Sequence, residues 1–137
     1  MPKVLVIDDD RTVLRLVEKA LSEADVEVFS AENADKGMKI LQTERPDTLL
    51  LDIMLPDQSG LELAQEIRNF DAKLPVVFIT VSDDSDVAIE AMKLGAYEYV
   101  LKPLGIEQIQ HLVDRGLDTR RLMQAPVVLQ QNNDPSD

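Results

Sequence analysis

Three aspartates, a threonine and a lysine each stand where an apolar run of this sequence ends. Val4-Leu5-Val6-Ile7 leads into Asp8-Asp9-Asp10, and Thr48-Leu49-Leu50-Leu51 leads into Asp52. A third run ends in Thr80, and a fourth leads into Lys102-Pro103. These residue types suit phosphoryl transfer. A carboxylate can attack phosphorus to form an acyl phosphate, an ammonium neutralises charge on the transferring oxygens, and the Thr80 hydroxyl can hydrogen-bond the new phosphoryl group. Asp52 is the most informative of the set. Ile53-Met54-Leu55-Pro56-Asp57 follows it at once, a turn-prone stretch that leaves its carboxylate at the mouth of a sheet. Asp8, Asp9 and Asp52 brought together raise one another's pKa unless something positive sits among them. Mg²⁺ is the natural partner, because it takes hard oxygen ligands, usually one or two carboxylates with waters and a phosphate. Three acids and Lys102 sum to a formal −2, which the ion brings to zero.

The elements that must position these groups alternate along the chain as βα units, the pattern of a parallel sheet with helices on both faces. Lys3–Asp8 reads as the first strand. Arg11–Ala24 follows as a helix with Val13, Leu14, Val17, Ala20 and Leu21 at helical spacing and Asp10 as its N-cap. Val26-Glu27-Val28-Phe29 alternates apolar and polar, as a marginal strand does, whereas the runs at Val4, Leu49 and Val76 are continuously apolar, as central parallel strands are. The second strand therefore lies outside the first. Asn33 caps a helix to about Glu44, and Leu61–Phe70 makes a third helix after Gly60. Pro75–Val81 is the fourth strand, a fourth helix carries Val87, Ala88, Ala91 and Met92 and stops near Gly95, and Tyr97–Leu101 with a helix from Ile106 to Met123 completes five units. In such open sheets ligands bind beyond the carboxyl ends of the strands, which is where the polar groups gather.

The bulk numbers bound the function. At 137 residues and 45% hydrophobic, the chain makes one globular domain with a proper core, residues 1–123, followed by a Pro/Gln/Asn-rich stretch, 124–137, that reads as a flexible tail or linker stump. With no cysteine, thiolate chemistry and Cys-based metal sites are excluded. No apolar stretch is long enough to span a membrane, and Met1-Pro2-Lys3-Val4 lacks a signal-peptide layout, so a cytoplasmic location is expected. A net charge of −12 argues against this segment binding nucleic acid directly.

The ordered set Lys3-Val4-Leu5-Val6-Ile7-Asp8-Asp9-Asp10, Leu51-Asp52-Ile53-Met54-Leu55-Pro56, Gly60, Thr80 and Lys102-Pro103 resembles the receiver domains of bacterial two-component response regulators, over about residues 3–120. The resemblance implies a flavodoxin-like (βα)5 fold, a doubly wound α/β architecture with a parallel sheet of order 2-1-3-4-5. Carried over by position, Asp52 is the phospho-acceptor, Asp9 a direct Mg²⁺ ligand, Asp8 its partner, and Met54 the donor of a backbone carbonyl to the metal. Thr80 is the switch hydroxyl, Lys102 the phosphate-contacting ammonium, and Tyr99 the aromatic that turns inward on activation. The implied partners are a sensor histidine kinase or phosphotransfer protein, and an output domain or a homodimer partner reached through the surface of the fourth helix, fifth strand and fifth helix. The implied chemistry is phosphotransfer to the chain's own Asp52 and slow autodephosphorylation, with no turnover enzyme expected. The stretch from Val87 to Tyr99 is similar to receivers of the enhancer-binding transcriptional activators. Two positions depart from the commonest pattern. Val81 stands where a small residue is usual, and Leu104 where Phe is frequent; both bear on the rate and extent of switching.

Two other functions compete. A haloacid-dehalogenase-type phosphatase also uses an aspartyl phosphate and Mg²⁺, with its nucleophile in an Asp-x-Asp on the first strand; here that strand offers Asp8 and Asp10, but the phospho-acceptor match lies at Asp52, and no cap domain fits in this length. A receiver-like interaction module without phosphorylation would not need all five groups. Plainer roles suit other residues: Asp10 and Asp57 as caps or turn residues, Asp83-Asp84-Ser85-Asp86 as a loop entering helix caps, and His111 as a solvated helix position.

Overall fold

Successive residues of the central strands point to opposite faces of one sheet, and both faces are apolar, so helices must cover both. The computed structural model describes residues 1–124. It runs β1 (Lys3–Ile7), α1 (Arg11–Ala20), β2 (Glu27–Ala31), α2 (Ala34–Glu44), β3 (Thr48–Asp52), α3 (Gly60–Phe70), β4 (Val76–Thr80), α4 (Ser85–Lys93), β5 (Glu98–Leu101) and α5 (Ile106–Met123). All strands are parallel in the order β2-β1-β3-β4-β5, the expected doubly wound α/β architecture. Leu5, Ile7, Leu49, Leu51, Val76 and Phe78 face one core with α2, α3 and Ala91 of α4. Val4, Val6, Leu50, Val77 and Ile79 face the other with α1 and α5. β3 and β4 are buried throughout, while β2 and β5, at the margins, are only partly covered.

Local signals account for the ends. Asp10, Asn33, Ser59 and Asp84 each cap a helix through the side chain, accepting from Thr12, Lys36, Leu61 and Asp86 N–H groups. α4 stops at Gly95, whose φ of 89° is open to glycine and costly for other residues. α1 is shorter than its apolar periodicity suggests, ending at Ala20 and not at Ala24. Beyond it Ser22 turns back, its hydroxyl and its N–H both bonding the Lys19 carbonyl, which ends the helical ladder although Leu21 stays buried. The residues from 125 onward, most of the expected tail, lie outside the described structure.

α5 is tied to the turn after α3 by a two-pronged ion pair, Arg120 Nη1 to Asp71 Oδ1 at 3.1 Å and Nη2 to Oδ2 at 2.6 Å. Burial pushes the Asp71 carboxyl up, but the Arg120 hydrogen bonds, the Lys73 N–H and the Arg120 and Arg68 charges outweigh it and hold the group below the usual aspartate range. A carboxyl depressed in the folded state contributes stability that is full above its unfolded pKa of about 3.9 and is lost as pH falls through the folded value. Arg120→Ala is therefore expected to cost about 1–2 kcal/mol near neutrality. In urea titrations across pH, the gap between variant and parent should close below pH 4. A gap that stays constant down to acid would assign the cost to packing alone.

Candidate functional site

The parallel register delivers the end of each central strand to one edge. Ile7 pairs with Leu51, Asp52 with Ile79, and Thr80 with Leu101, so Asp8, Asp52, Thr80 and Lys102 all emerge on the same side of the sheet. Asp8 is 0% exposed, Asp52 3% and Thr80 0%, whereas Asp9 lies in solvent at the rim. One carboxylate oxygen from each of Asp8, Asp9 and Asp52 falls within 4.8 Å of the others. The Lys102 ammonium reaches between two of them, 2.8 Å from Asp8 Oδ2 and 3.1 Å from Asp52 Oδ2. The Lys102–Pro103 peptide is cis.

The remaining carboxylate oxygens are held by backbone. Asp8 Oδ1 accepts from Asp10 N–H at 2.8 Å, and Asp52 Oδ1 from Met54 N–H at 3.1 Å. Asp8 Oδ2 is buried and meets Lys102 without an aligned hydrogen bond. Burial pushes the Asp8 carboxyl up to about 6, and the neighbouring Asp52 charge adds to this, while Lys102 and the Asp10 N–H work against it. Burial alone would lower the Lys102 pKa, but its contacts with Asp8 and Asp52 override this and hold it above the usual lysine range. A fully buried carboxylate oxygen in an ion pair without aligned geometry, in a cluster of net charge −2, fits a hard divalent cation. The donor set is oxygen alone, which suits Mg²⁺ and not a thiophilic metal.

The loop after Asp52 is drawn tightly against the strand. Met54 bridges to Ser59, and Gly60 donates its N–H to the Ile53 carbonyl at 2.7 Å. A Cβ on Gly60 would overlap the Asp52 carbonyl oxygen, so glycine is what lets α3 begin this close to the site. Met54 is 58% exposed at the mouth.

The response regulator receiver domain family matches residues 4–114, which spans every group just described. The chain belongs to that family. NtrC of Escherichia coli, a DNA-binding transcriptional regulator, is 34% identical over 134 residues, covering 98% of this chain and 29% of the relative. The receiver domain of NtrX from Brucella abortus is 31% identical with a TM-score of 0.78, over 85% of this chain and 98% of that one. A CheY-like receiver protein of Methanospirillum hungatei shares the fold at a TM-score of 0.85 and 24% identity, over 90% of this chain and 98% of that chain. The similarity to enhancer-binding regulators read from the Val87–Tyr99 stretch agrees with the NtrC and NtrX relatives. This receiver spans under a third of the length of the NtrC proteins it matches.

Away from the carboxylates, Thr80 Oγ1 accepts from Ser82 N–H at 3.2 Å, and the Tyr99 hydroxyl donates to the Ser82 carbonyl at 2.8 Å. Ser82 thus links the hydroxyl at the end of β4 to the half-buried ring on β5. It carried no signal in the sequence beyond lying two residues after Thr80. Val81 is 67% exposed, and with Leu104 it lines a shallow cleft shared by Val13, Leu16, Pro103 and Lys102. Both departures from the commonest receiver pattern therefore stand at the rim of the site. His111 is exposed on α5, and Asp10 caps α1.

Proposed function

We propose that this receiver takes a phosphoryl group onto Asp52, with Asp8, Asp9 and Asp52 carboxylates and the Met54 carbonyl holding Mg²⁺. The observation that carries the reading is the Lys102 ammonium lodged between Asp8 and Asp52 beside a rim carboxylate, Asp9. An Asp52 oxygen attacks phosphorus as the bond to the donor breaks, and the donor leaves as imidazole from a phosphohistidine or as acetate from acetyl phosphate. Bound Mg²⁺ would supply positive charge to the phosphoryl oxygens. Lys102 adds a second positive charge at the same place, and its two ion pairs keep it ionised and aimed.

The switch follows from which contacts the new group competes with. Thr80 Oγ1 accepts from the neutral Ser82 N–H, and a phosphoryl oxygen gives its hydroxyl proton a charge-assisted acceptor that draws the side chain toward Asp52. Moving Thr80 disturbs Ser82, and with it the Tyr99 hydroxyl bond that holds the ring in place. α4 is the helix best able to respond, since Ala91 is its one buried residue. Its far end is held more firmly. Arg68 donates Nε–H to the Leu94 carbonyl at 3.1 Å and Nη2–H to the Gly95 carbonyl at 2.9 Å.

A sensor histidine kinase or phosphotransfer protein is the donor partner in this reading, and the α4-β5-α5 surface addresses an output domain or a second receiver. Residues 1–123 form the receiver and 124–137 its tail or linker. A cytoplasmic setting suits this role, and among the described residues no helix is long and apolar enough to cross a membrane. A beryllium fluoride adduct is expected to shift amide resonances at Thr80, Ser82 and Tyr99 and along α4. Shifts confined to Asp8, Asp9, Asp52 and Lys102 would show that the Thr80–Ser82–Tyr99 route does not carry the signal.

A further inference from the structure

The loop that carries Met54 is tied to a helix on the far side of β1. Asp57 Oδ1 accepts from Ala34 N–H at 2.9 Å and Oδ2 from Asp35 N–H at 3.0 Å, so one exposed carboxylate, 22 and 23 residues away in sequence, closes the first turn of α2. α2 has its own cap as well. Asn33 Oδ1 takes the Lys36 N–H at 2.8 Å, and the Asn33 carbonyl takes the Gly37 N–H at 3.0 Å. The Gly37 bond opens the helical ladder, and three of the N–H groups before it are capped from side chains, Lys36 by Asn33 and Ala34 and Asp35 by Asp57.

The Asp35 N–H is exposed and can be met by water, and although Ala34 is buried, α2 keeps its Asn33 cap, so its need of Asp57 is limited. The loop has more. Met54, Pro56 and Asp57 are exposed, and Ile53 and Leu55 are the residues of 53–57 that enter the core. Between Met54 and Ser59 the tip has no strand neighbour among the described residues, and its height above the sheet is set by polar ties. Two ties fix the tip to other elements: Gln58 Nε2–H donates to the Glu66 carboxylate of α3, and the Asp57 pair reaches across to α2. The Asp57 carboxyl is held below the usual aspartate range, first by the Ala34 N–H, so it stays an anion and a strong acceptor at neutral pH.

We propose that Asp57 is a positioning residue of the metal site: its double bond to the α2 N-terminus sets the β3–α3 loop, and with it the Met54 carbonyl, at the distance that Mg²⁺ requires. Mg²⁺ tolerates little departure from octahedral geometry at short metal–oxygen distances, so a loop displaced by a fraction of an ångström loses affinity. The inference rests on the reading of Met54 as a metal ligand. It also places α2 in contact with the acceptor loop, a path to the sheet edge opposite α4.

The test is Mg²⁺ titration followed by amide shifts, with amide hydrogen exchange of Ile53–Gly60 measured in the metal-free protein. Asp57→Ala is expected to weaken Mg²⁺ about 3- to 10-fold, within the range that outer supports of metal ligands show, and to speed exchange in the loop. Asp57→Asn, which keeps one acceptor oxygen, should fall between. Asn33→Ala should lower Tm with Mg²⁺ affinity unchanged, and Asp35→Asn, which removes an equal charge at the same helix end, should also leave affinity unchanged. Parent-like affinity in Asp57→Ala, with binding in the parent that still depends on Asp9, overturns the positioning role alone. Equal weakening in Asn33→Ala or Asp35→Asn also overturns it, in favour of general destabilisation or long-range charge. Absence of Asp9-dependent binding in the parent overturns the metal reading and this inference together.

Discussion

Incubation with acetyl phosphate and Mg²⁺ is expected to add one phosphoryl group to this receiver, and Asp52→Asn to add none. The carboxylate is 3% exposed at the end of β3 and held by two contacts, the Met54 N–H and the Lys102 ammonium. That geometry fixes the nucleophile, so no nearby acid can replace it; Asp8 is fully buried and Asp9 faces solvent. Lys102→Ala should slow labelling by about 10²-fold or more, comparable to removal of one preorganised charge-stabilising donor. The product should be stable in acid and labile in base, as acyl phosphates are. Met54, two residues after the acceptor and 58% exposed at the mouth, crowds the approach of an attacking water, so the adduct should last minutes or longer. Intact-mass spectrometry over time reads all of these. A label that persists in Asp52→Asn, or an unchanged parent mass where a control receiver is labelled, would favour a pure interaction module.

Opposite stability changes are expected from two substitutions in the same cluster when Mg²⁺ is chelated. Without the ion, Asp8, Asp9 and Asp52 outnumber Lys102, and Asp52 adds to the burial that raises Asp8. Asp52→Asn relieves that repulsion and leaves Lys102 on Asp8 alone, so Tm should rise by a few degrees, from about 1 kcal/mol. Lys102→Met keeps most of the apolar stem and removes the charge, which strands a fully buried carboxylate. Its cost should approach about 3 kcal/mol, the lower end of what breaking a buried ion pair does. Millimolar Mg²⁺ should stabilise the parent by mass action and Asp52→Asn far less. Thermal melts with and without chelator decide this. A fall in Tm for both variants would mean that packing, and not charge, dominates the site.

The architecture is largely legible in the amino-acid sequence. Continuous apolar runs at Val4, Leu49 and Val76 mark buried parallel strands, and the polar alternation of Val26–Phe29 marks an edge, because a strand covered on both faces cannot carry Glu27. Caps at Asp10 and Asn33 and the stop at Gly95 are local devices, satisfied by neighbours two to four residues away, and so a short window of sequence contains them. The end of α1 was less legible, since Leu21 keeps the apolar period while Ser22 bends the chain out of the helix.

The site divides along the same line. Strand ends dictate that Asp8, Asp9, Asp52, Thr80 and Lys102 share one edge, and residue chemistry dictates what such a group can do. Which charges touch depends on register and crossover, which join residues 44 and 94 positions apart. Lys102 bridging Asp8 and Asp52, Ser82 joining Thr80 to Tyr99, and Asp57 capping a helix from another loop all arise from such closures. A lone Asp at position 57 looks like any turn residue in the sequence, because the N–H groups it meets belong to a helix already passed. Long-range contacts of this kind carry no periodicity and no local composition; they exist once the sheet has brought its loops together.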